Sequence, residues 1–169
     1  ATEKHGLSAP PCCVSTILDC IGNTPMMEMN VPWDNQNWHF FAKLEFMNPS
    51  GSVKDRIAKY IIEKAEKNGR LKADSIIAEA TSGNAGIMAR RDPRVFLTRQ
   101  FQNEDNTECH YETTGKEILE QIEGLTINAF VAGMGTGGTI MGAGKRLRET
   151  NPGCKVVAVE PAESAVITT

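Results

Sequence analysis

The sequence predicts an α/β fold of parallel-rich sheets flanked by helices. Short apolar runs alternate along the chain with amphipathic helical stretches, and Gly, Pro and Asn punctuation separates them. Between Ile127 and Val159 a strand, a glycine-rich turn, a helix and a second strand follow one another, which spells out a βαβ unit. With 169 residues, 40% of them hydrophobic, the chain carries enough apolar material for one sizeable core or two small ones. No internal repeat or low-complexity tract interrupts the pattern.

In order, Ser15 caps a short helix through Ile17, Leu18 and Ile21, which Gly22-Asn23-Thr24-Pro25 stops before an extended Met26 to Met29 segment. Pro32 to Asn37 is polar and reads as a loop, and His39 to Phe46, apolar and aromatic, as a strand turned back by Asn48-Pro49-Ser50-Gly51. Ser52 and Asp55 form an approximate capping box for a helix whose stripe is Val53, Ile57, Tyr60, Ile61 and Ala65, and Asn68-Gly69 ends it. Ile76 to Ala80 is a short strand running into Thr81-Ser82-Gly83-Asn84-Ala85-Gly86. The helix expected next breaks off after Ile87-Met88-Ala89 at Arg90-Arg91-Asp92-Pro93, a seam at 89–92. Thr114 and Glu117 suggest a second capping box for a helix through Ile118, Leu119 and Ile122, followed by a buried strand, Ile127 to Ala132. Gly133 to Thr139 then leads into a helix carrying Ile140, Ala143, Gly144 and Leu147, stopped by Asn151-Pro152-Gly153 before the Val156 to Val159 strand.

A net charge of −3, from 18 basic and 21 acidic residues, leaves no electrostatic footprint for nucleic acid. No run approaches the roughly 18 apolar residues of a membrane span. Ala1 to Pro11 lacks the charged-then-apolar layout of a secretion signal, so the expected location is cytoplasmic. Cys12, Cys13, Cys20, Cys109 and Cys154 form an odd set without a C-x-x-C pair, which fits neither a disulfide framework nor a structural zinc site; reduced thiols and no metal are expected.

Three constellations carry possible chemistry. The turn Gly133-Met134-Gly135-Thr136-Gly137-Gly138-Thr139 sits between a strand and a helix N-terminus, where unpaired N–H groups and the positive helix end favour an anion. Gly133, Gly135 and Gly138 match G-x-G-x-x-G with Glu160 after the next strand, so a dinucleotide is one reading. The hydroxyls of Thr136 and Thr139 favour a phosphate monoester, and a tight turn without a ligand is the third reading. Lys54 opens a helix just after a glycine-containing turn, where the positive helix end disfavours a further cation and so suits an amine that reacts in its neutral form. An ordinary solvated lysine is the alternative. Thr81 to Gly86 offers the hydroxyls of Thr81 and Ser82 and the amide of Asn84 as a carboxylate cradle, or simply as a helix-capping turn. A phosphate cradle, a carboxylate cradle and an isolated lysine, all at strand-to-helix turns, are together the parts of a pyridoxal phosphate enzyme.

Six motifs in one order, Ile21-Gly22-Asn23-Thr24-Pro25, Asn48 to Arg56, Thr81-Ser82-Gly83-Asn84, Gln100-Phe101-x-Asn103-x-x-Asn106, Thr113-Thr114-Gly115 and Gly135-Thr136-Gly137-Gly138-Thr139, make the chain resemble the cysteine synthase (O-acetylserine sulfhydrylase) family, with cystathionine β-synthase a close relative. The resemblance favours pyridoxal 5'-phosphate over a dinucleotide. It implies the two-domain architecture of fold type II pyridoxal phosphate enzymes, incomplete in this chain: 1–36 and 101–169 in a larger domain carrying the phosphate loop, and 37–100 in a smaller mobile domain. It implies Lys54 as the catalytic Schiff-base lysine, Gly135, Thr136, Gly137, Gly138 and Thr139 around the cofactor phosphate, Asn84 on the ring oxygen, and Thr81, Ser82 and Gln100 on the substrate carboxylate. The family usually has threonine where this chain has Ala85.

The activity so implied is β-replacement making L-cysteine from O-acetyl-L-serine and sulfide. The alternatives are condensation of serine with homocysteine, and a non-catalytic remnant acting through a partner. The implied partners are a small amino-acid substrate and sulfide, a second copy in a homodimer, and a serine acetyltransferase. Family members are nearly twice as long, which makes a portion of a longer molecule the expectation.

Overall fold

The structure, a computed structural model, describes residues 13–79 and 92–165. The first element among the described residues is a 3-10 turn, Ile17–Cys20, capped by Thr16 rather than Ser15: the Thr16 hydroxyl accepts from Leu18 N, and Asp19 reaches back to Thr16 N. Strands β1 (Met26–Trp33) and β2 (Gln36–Lys43) then pair antiparallel. The loop expected over 32–37 is therefore a hairpin. Its turn is only Asp34-Asn35, both with positive φ (52° and 59°), a conformation Asp and Asn tolerate and one that matches the twist of the strands. The strand expected through Phe46 ends at Lys43, and Glu45–Met47 forms a 3-10 turn. In the hairpin register Met27, Met29, Val31 and Trp33 share a face with Trp38, Phe40 and Ala42, and most of that face is exposed.

Helix α1 (Lys54–Lys67) follows, burying Arg56, Ile57, Ile61 and Ala65. The Ser52 hydroxyl accepts from Lys54 N, while Asp55 reaches back to Ser50 N at 2.8 Å and to the Ser50 hydroxyl, so the two expected capping residues act on different partners. Strands β3 (Ile76–Ala78) and β4 (Val95–Leu97) pair parallel, although 79–94 separate them in sequence.

The largest departure from expectation lies between 104 and 121. Helix α2 (Glu104–His110), a π-helical turn (Tyr111–Gly115) and helix α3 (Lys116–Gln121) run on without a break, and Asn103 caps the whole rod by accepting from Asp105 N. Thr114 and Glu117 thus lie inside the rod and form no capping box; both are buried, Thr114 bonded to His110 and Glu117 to cations. The βαβ unit forms as expected in order from β5 (Ala129–Gly133), α4 (Gly138–Thr150) and β6 (Lys155–Val159), with β5 and β6 parallel, but the strand expected to be buried from Ile127 starts at Ala129 and has no buried residue, because only α4 covers one of its faces.

Helix α4 packs on β5 and β6 with one face and on α2 with another, and α1 packs on the other side of α2. Leu147, Ile118, Ile122 and Cys154 form the core cluster, joined by Met26, Leu119, Ile127 and Phe130. Glycines let α4 approach α2 and the π-turn closely. A Cβ at Gly142 would overlap the Thr107 carbonyl and reach within 2.8 Å of Tyr111 N, and one at Gly115 would meet Arg146 Cβ at 2.8 Å. Tyr111 clamps the same seam, donating to Glu149 at 2.5 Å with the Arg146 guanidinium 4.8 Å above its ring.

Beneath the start of α1 four charges are drawn out of water. Arg56, 3% exposed, donates to both oxygens of Glu117 at 2.6 and 2.7 Å and to Glu45 at 2.7 and 2.9 Å. Lys43 Nζ meets Glu117 at 2.7 Å and the Thr24 carbonyl at 2.6 Å. Asn23 N donates to Glu117, and Gly22 N to Asn48, whose amide donates to Glu45. Two cations and two carboxylates balance, and the remaining lone pairs are taken by Thr24, Asn48 and Asn23, the condition under which buried charge is tolerated. Burial alone would raise the Glu117 pKa, but Arg56 and Lys43 override it and hold it down at about 2; burial lowers that of Lys43 despite its partner.

Two predictions follow from this packing. Gly142→Ala is expected to destabilise the chain by about 1–3 kcal/mol in denaturant unfolding, because two backbones must move apart. Gly153→Ala, where a Cβ meets nothing within 4 Å, is expected to stay within about 0.5 kcal/mol. Ionisation of Glu117 favours the fold, since its folded value lies below the ordinary 4.5. Its contribution is therefore complete above that pH and drains away as pH falls toward about 2. Glu117→Gln is expected to cost about 3–5 kcal/mol at pH 7 by leaving buried cations under-neutralised, and the gap from the parent chain is expected to close as pH falls toward 2.

Candidate functional site

The site is assembled on the N-terminal ends of α1 and α4 and on the turn that enters α2. Lys54 is the first residue of α1, exposed, with Arg56 two positions on. Residues two apart on a helix lie about 200° around its axis, so anchoring Arg56 in the charge cluster turns Lys54 toward solvent. Its Nζ donates to Gln100 Oε1 at 3.2 Å.

Gln100 stands on a tight turn between β4 and α2. Arg99 adopts a left-handed φ of 50°, and its carbonyl accepts from Gln102 N and Asn103 N, while the Asn103 amide donates to the Thr98 carbonyl at 2.9 Å. That strained turn presents Gln100 to Lys54. With Oε1 engaged by the amine, the two amide hydrogens of Gln100 remain for an acceptor such as a carboxylate.

The loop Gly135-Thr136-Gly137-Gly138-Thr139 lies between β5 and α4. Gly137 has a φ of 83°, which a residue with a Cβ rarely adopts, and it occupies the N-cap position with no side-chain cap; the first turn of the 13-residue helix holds no acid. A Cβ at Gly133, Gly135 or Gly137 would meet nothing within 4 Å, so the loop faces open space. A Cβ at Gly138 would instead overlap the Asn106 side chain, so that glycine serves packing. The two threonine hydroxyls are held from beneath by α2: Asn106 Nδ2 donates to Thr136 Oγ1 at 2.8 Å, and His110 Nε2 lies 3.2 Å from Thr139 Oγ1, with Nδ1 2.9 Å from Thr114 Oγ1. Burial, assisted by Arg56, pushes the His110 pKa down to about 4, so the ring is neutral at pH 7. An uncapped helix N-terminus, an open glycine cradle and two oriented hydroxyls fit a phosphate monoester and hence pyridoxal phosphate.

The structure thus brings Lys54 to Gln100, and the chain of hydrogen bonds runs on from Gln100 through Asn106 to Thr136. Thr81, Ser82 and Asn84 lie outside the described residues. Asn106, which the sequence offered only as part of a motif without a role, and His110, which it did not single out, stand at i and i+4 on α2. Their spacing on one helical face, four residues apart and followed by Thr114 at i+8, is the signal that could have found them. The Gly22-Asn23-Thr24 segment, Asn48 and Arg56 instead converge on the ion cluster. Among the described residues no group of three or more His, Cys, Asp or Glu is placed to hold a metal, and no helix is long and apolar enough to cross a membrane.

A family model described as "Pyridoxal-phosphate dependent enzyme" matches residues 17–90 and 87–169. A cysteine synthase of Staphylococcus aureus is 35% identical over 207 residues, taking in 91% of this chain and 67% of its own length. As 91% of 169 is about 154 residues, that relative carries roughly 50 more residues within the matched stretch. The cysteine synthase structure from Entamoeba histolytica superposes with a TM-score of 0.82 at 29% identity, covering 98% of this chain and 66% of that one. An O-acetylserine dependent cystathionine β-synthase from Helicobacter pylori superposes with a TM-score of 0.81 at 28% identity, covering 91% of this chain and 68% of that one. The chain spans about two thirds of the length of the relatives it matches. On the family match and the shared fold, the chain belongs to the pyridoxal-phosphate dependent enzymes, in the branch that includes the cysteine synthases.

Proposed function

We propose that this chain carries the site of a β-replacement that converts O-acetyl-L-serine and sulfide to L-cysteine and acetate. The observation that carries the proposal is the hydrogen-bonded line from Lys54 through Gln100 and Asn106 to Thr136, which joins a reactive amine to a phosphate cradle. Pyridoxal phosphate, when bound, supplies the electron sink that makes the Cα proton of an amino acid removable. Lys54 would hold that cofactor covalently, and its neutral amine would serve as the general base for the α-proton. The Gly135 to Thr139 loop would hold the phosphate end, and Lys54 would act from the start of α1. Gln100 turns its amide hydrogens to the substrate carboxylate, with Thr81 and Ser82 as further donors and Asn84 on the ring oxygen. Acetate leaves from Cβ with its bonding pair, and sulfide supplies the new bond there.

The same reading divides the chain into a larger domain, 1–36 and 101–169, and a smaller mobile one, 37–100. The meeting of the two matched stretches at 87–90 supports a seam close by. It also includes a homodimer, a serine acetyltransferase as partner and a cytoplasmic location. A second reading, in which the thiol of homocysteine replaces sulfide, is favoured by the likeness to the Helicobacter pylori enzyme.

Borohydride reduction of the chain loaded with pyridoxal phosphate, followed by digestion and mass spectrometry, is expected to place a single pyridoxyl group on the Lys54 peptide and none in Lys54→Ala; an unmodified Lys54 peptide rejects the proposal. With O-acetylserine as donor, sulfide is expected to be used in preference to homocysteine. Homocysteine turnover with little cysteine formed selects the second reading.

A further inference from the structure

Asn106 occupies the third position of α2 and is 3% exposed. Its Nδ2 uses both hydrogens, one on the Gln100 carbonyl at 2.8 Å and one on Thr136 Oγ1 at 2.8 Å. A backbone carbonyl can only accept, so the first bond fixes which end of the amide is nitrogen. Oδ1 is thereby turned onto the backbone of Gly138, where it is buried and meets no donor among the described residues. An unsatisfied buried oxygen works against stability, so packing alone gives poor reason for an amide here. The consequence for Thr136 is specific. A hydroxyl has one hydrogen; because this oxygen accepts from Asn106, the hydrogen is left for a group on the open side of the loop.

We propose that Asn106 is a positioning residue that sets the Thr136 hydroxyl as a donor to the phosphate of a bound cofactor. The inference rests on the pyridoxal phosphate reading above and adds to it the requirement for a neutral amide. An aspartate has nearly the same shape but only accepts. It would take the Thr136 hydrogen for itself and place a negative charge beneath an anion.

The test is a titration of the 169-residue chain with pyridoxal 5'-phosphate and, separately, with pyridoxal, which lacks the phosphate, following the absorbance of the amine–aldehyde adduct. The parent chain is expected to prefer pyridoxal phosphate. Asn106→Asp is expected to weaken that binding about tenfold or more while changing pyridoxal binding by less than about twofold. Thr136→Val is expected to show the same selective loss, and the double variant to be little worse than either, as for two groups acting through one bond. Should Asn106→Asp fail to fold, Asn106→Ser and Thr136→Val carry the same contrast between the two ligands. Unchanged binding of pyridoxal phosphate by the variants overturns the inference, and so does an equal loss for both ligands, which marks a purely structural role. A parent chain that binds neither ligand rejects the cofactor reading itself and the inference with it.

Discussion

Burial of the Arg56 guanidinium is the constraint from which the rest of the arrangement follows. Its five donors have only carboxylates and one hydroxyl to meet, and those come from three places far apart in sequence: Thr24, Glu45 and Glu117. A cation at 3% exposure has no substitute for these partners in water, so each of the three segments must be where it is before the charge can be buried. The gain is orientational as much as energetic. Arg56 lies two residues beyond Lys54, and pinning one side of α1 decides what the other side presents.

The helical rod from Glu104 to Gln121 then carries this order across the molecule. At one end Glu117 receives Arg56; at the other Asn106 and His110 support the two threonines of the Gly135 to Thr139 loop. The π-turn between them is what allows one rod to serve both neighbours, because the wider turn changes the rotational phase of α3 relative to α2. Glycines at 115, 138 and 142 remove the side chains that would hold α4 away, so Gly142 lies against the Thr107 and Tyr111 backbone and Gly138 against the Asn106 side chain. The cradle is thus open on the side where an anion would enter and closed beneath.

Much of this was legible in the sequence where the signal is local. The βαβ unit, the glycine loop and the placement of Lys54 at a helix start all depend on neighbours within a few residues, and they formed as expected. What escaped is of two kinds. Asp34-Asn35 was hidden inside a polar stretch that resembles any loop, although two residues that tolerate positive φ between apolar runs are a hairpin signal. Thr114 and Glu117 have the spacing of a capping box, yet the chain was already helical when it reached them. Glu117 owes its presence to cations 61 and 74 positions away, Arg56 and Lys43, and no local pattern announces that. The same holds for Asn106 and His110, whose partners lie 30 and 29 residues on. Thr81, Ser82 and Asn84 lie outside the described residues.

The hairpin has a consequence for how the molecule can be watched. The chain has two tryptophans, Trp33 and Trp38, and both lie on the exposed apolar face of β1 and β2, 73% and 48% accessible. Intrinsic emission excited at the red edge therefore reports on this one ribbon and is silent about the core around Leu147. Anything that comes to lie against the hairpin will shift that emission to the blue, whereas melting of the core beneath an intact ribbon will leave it unmoved.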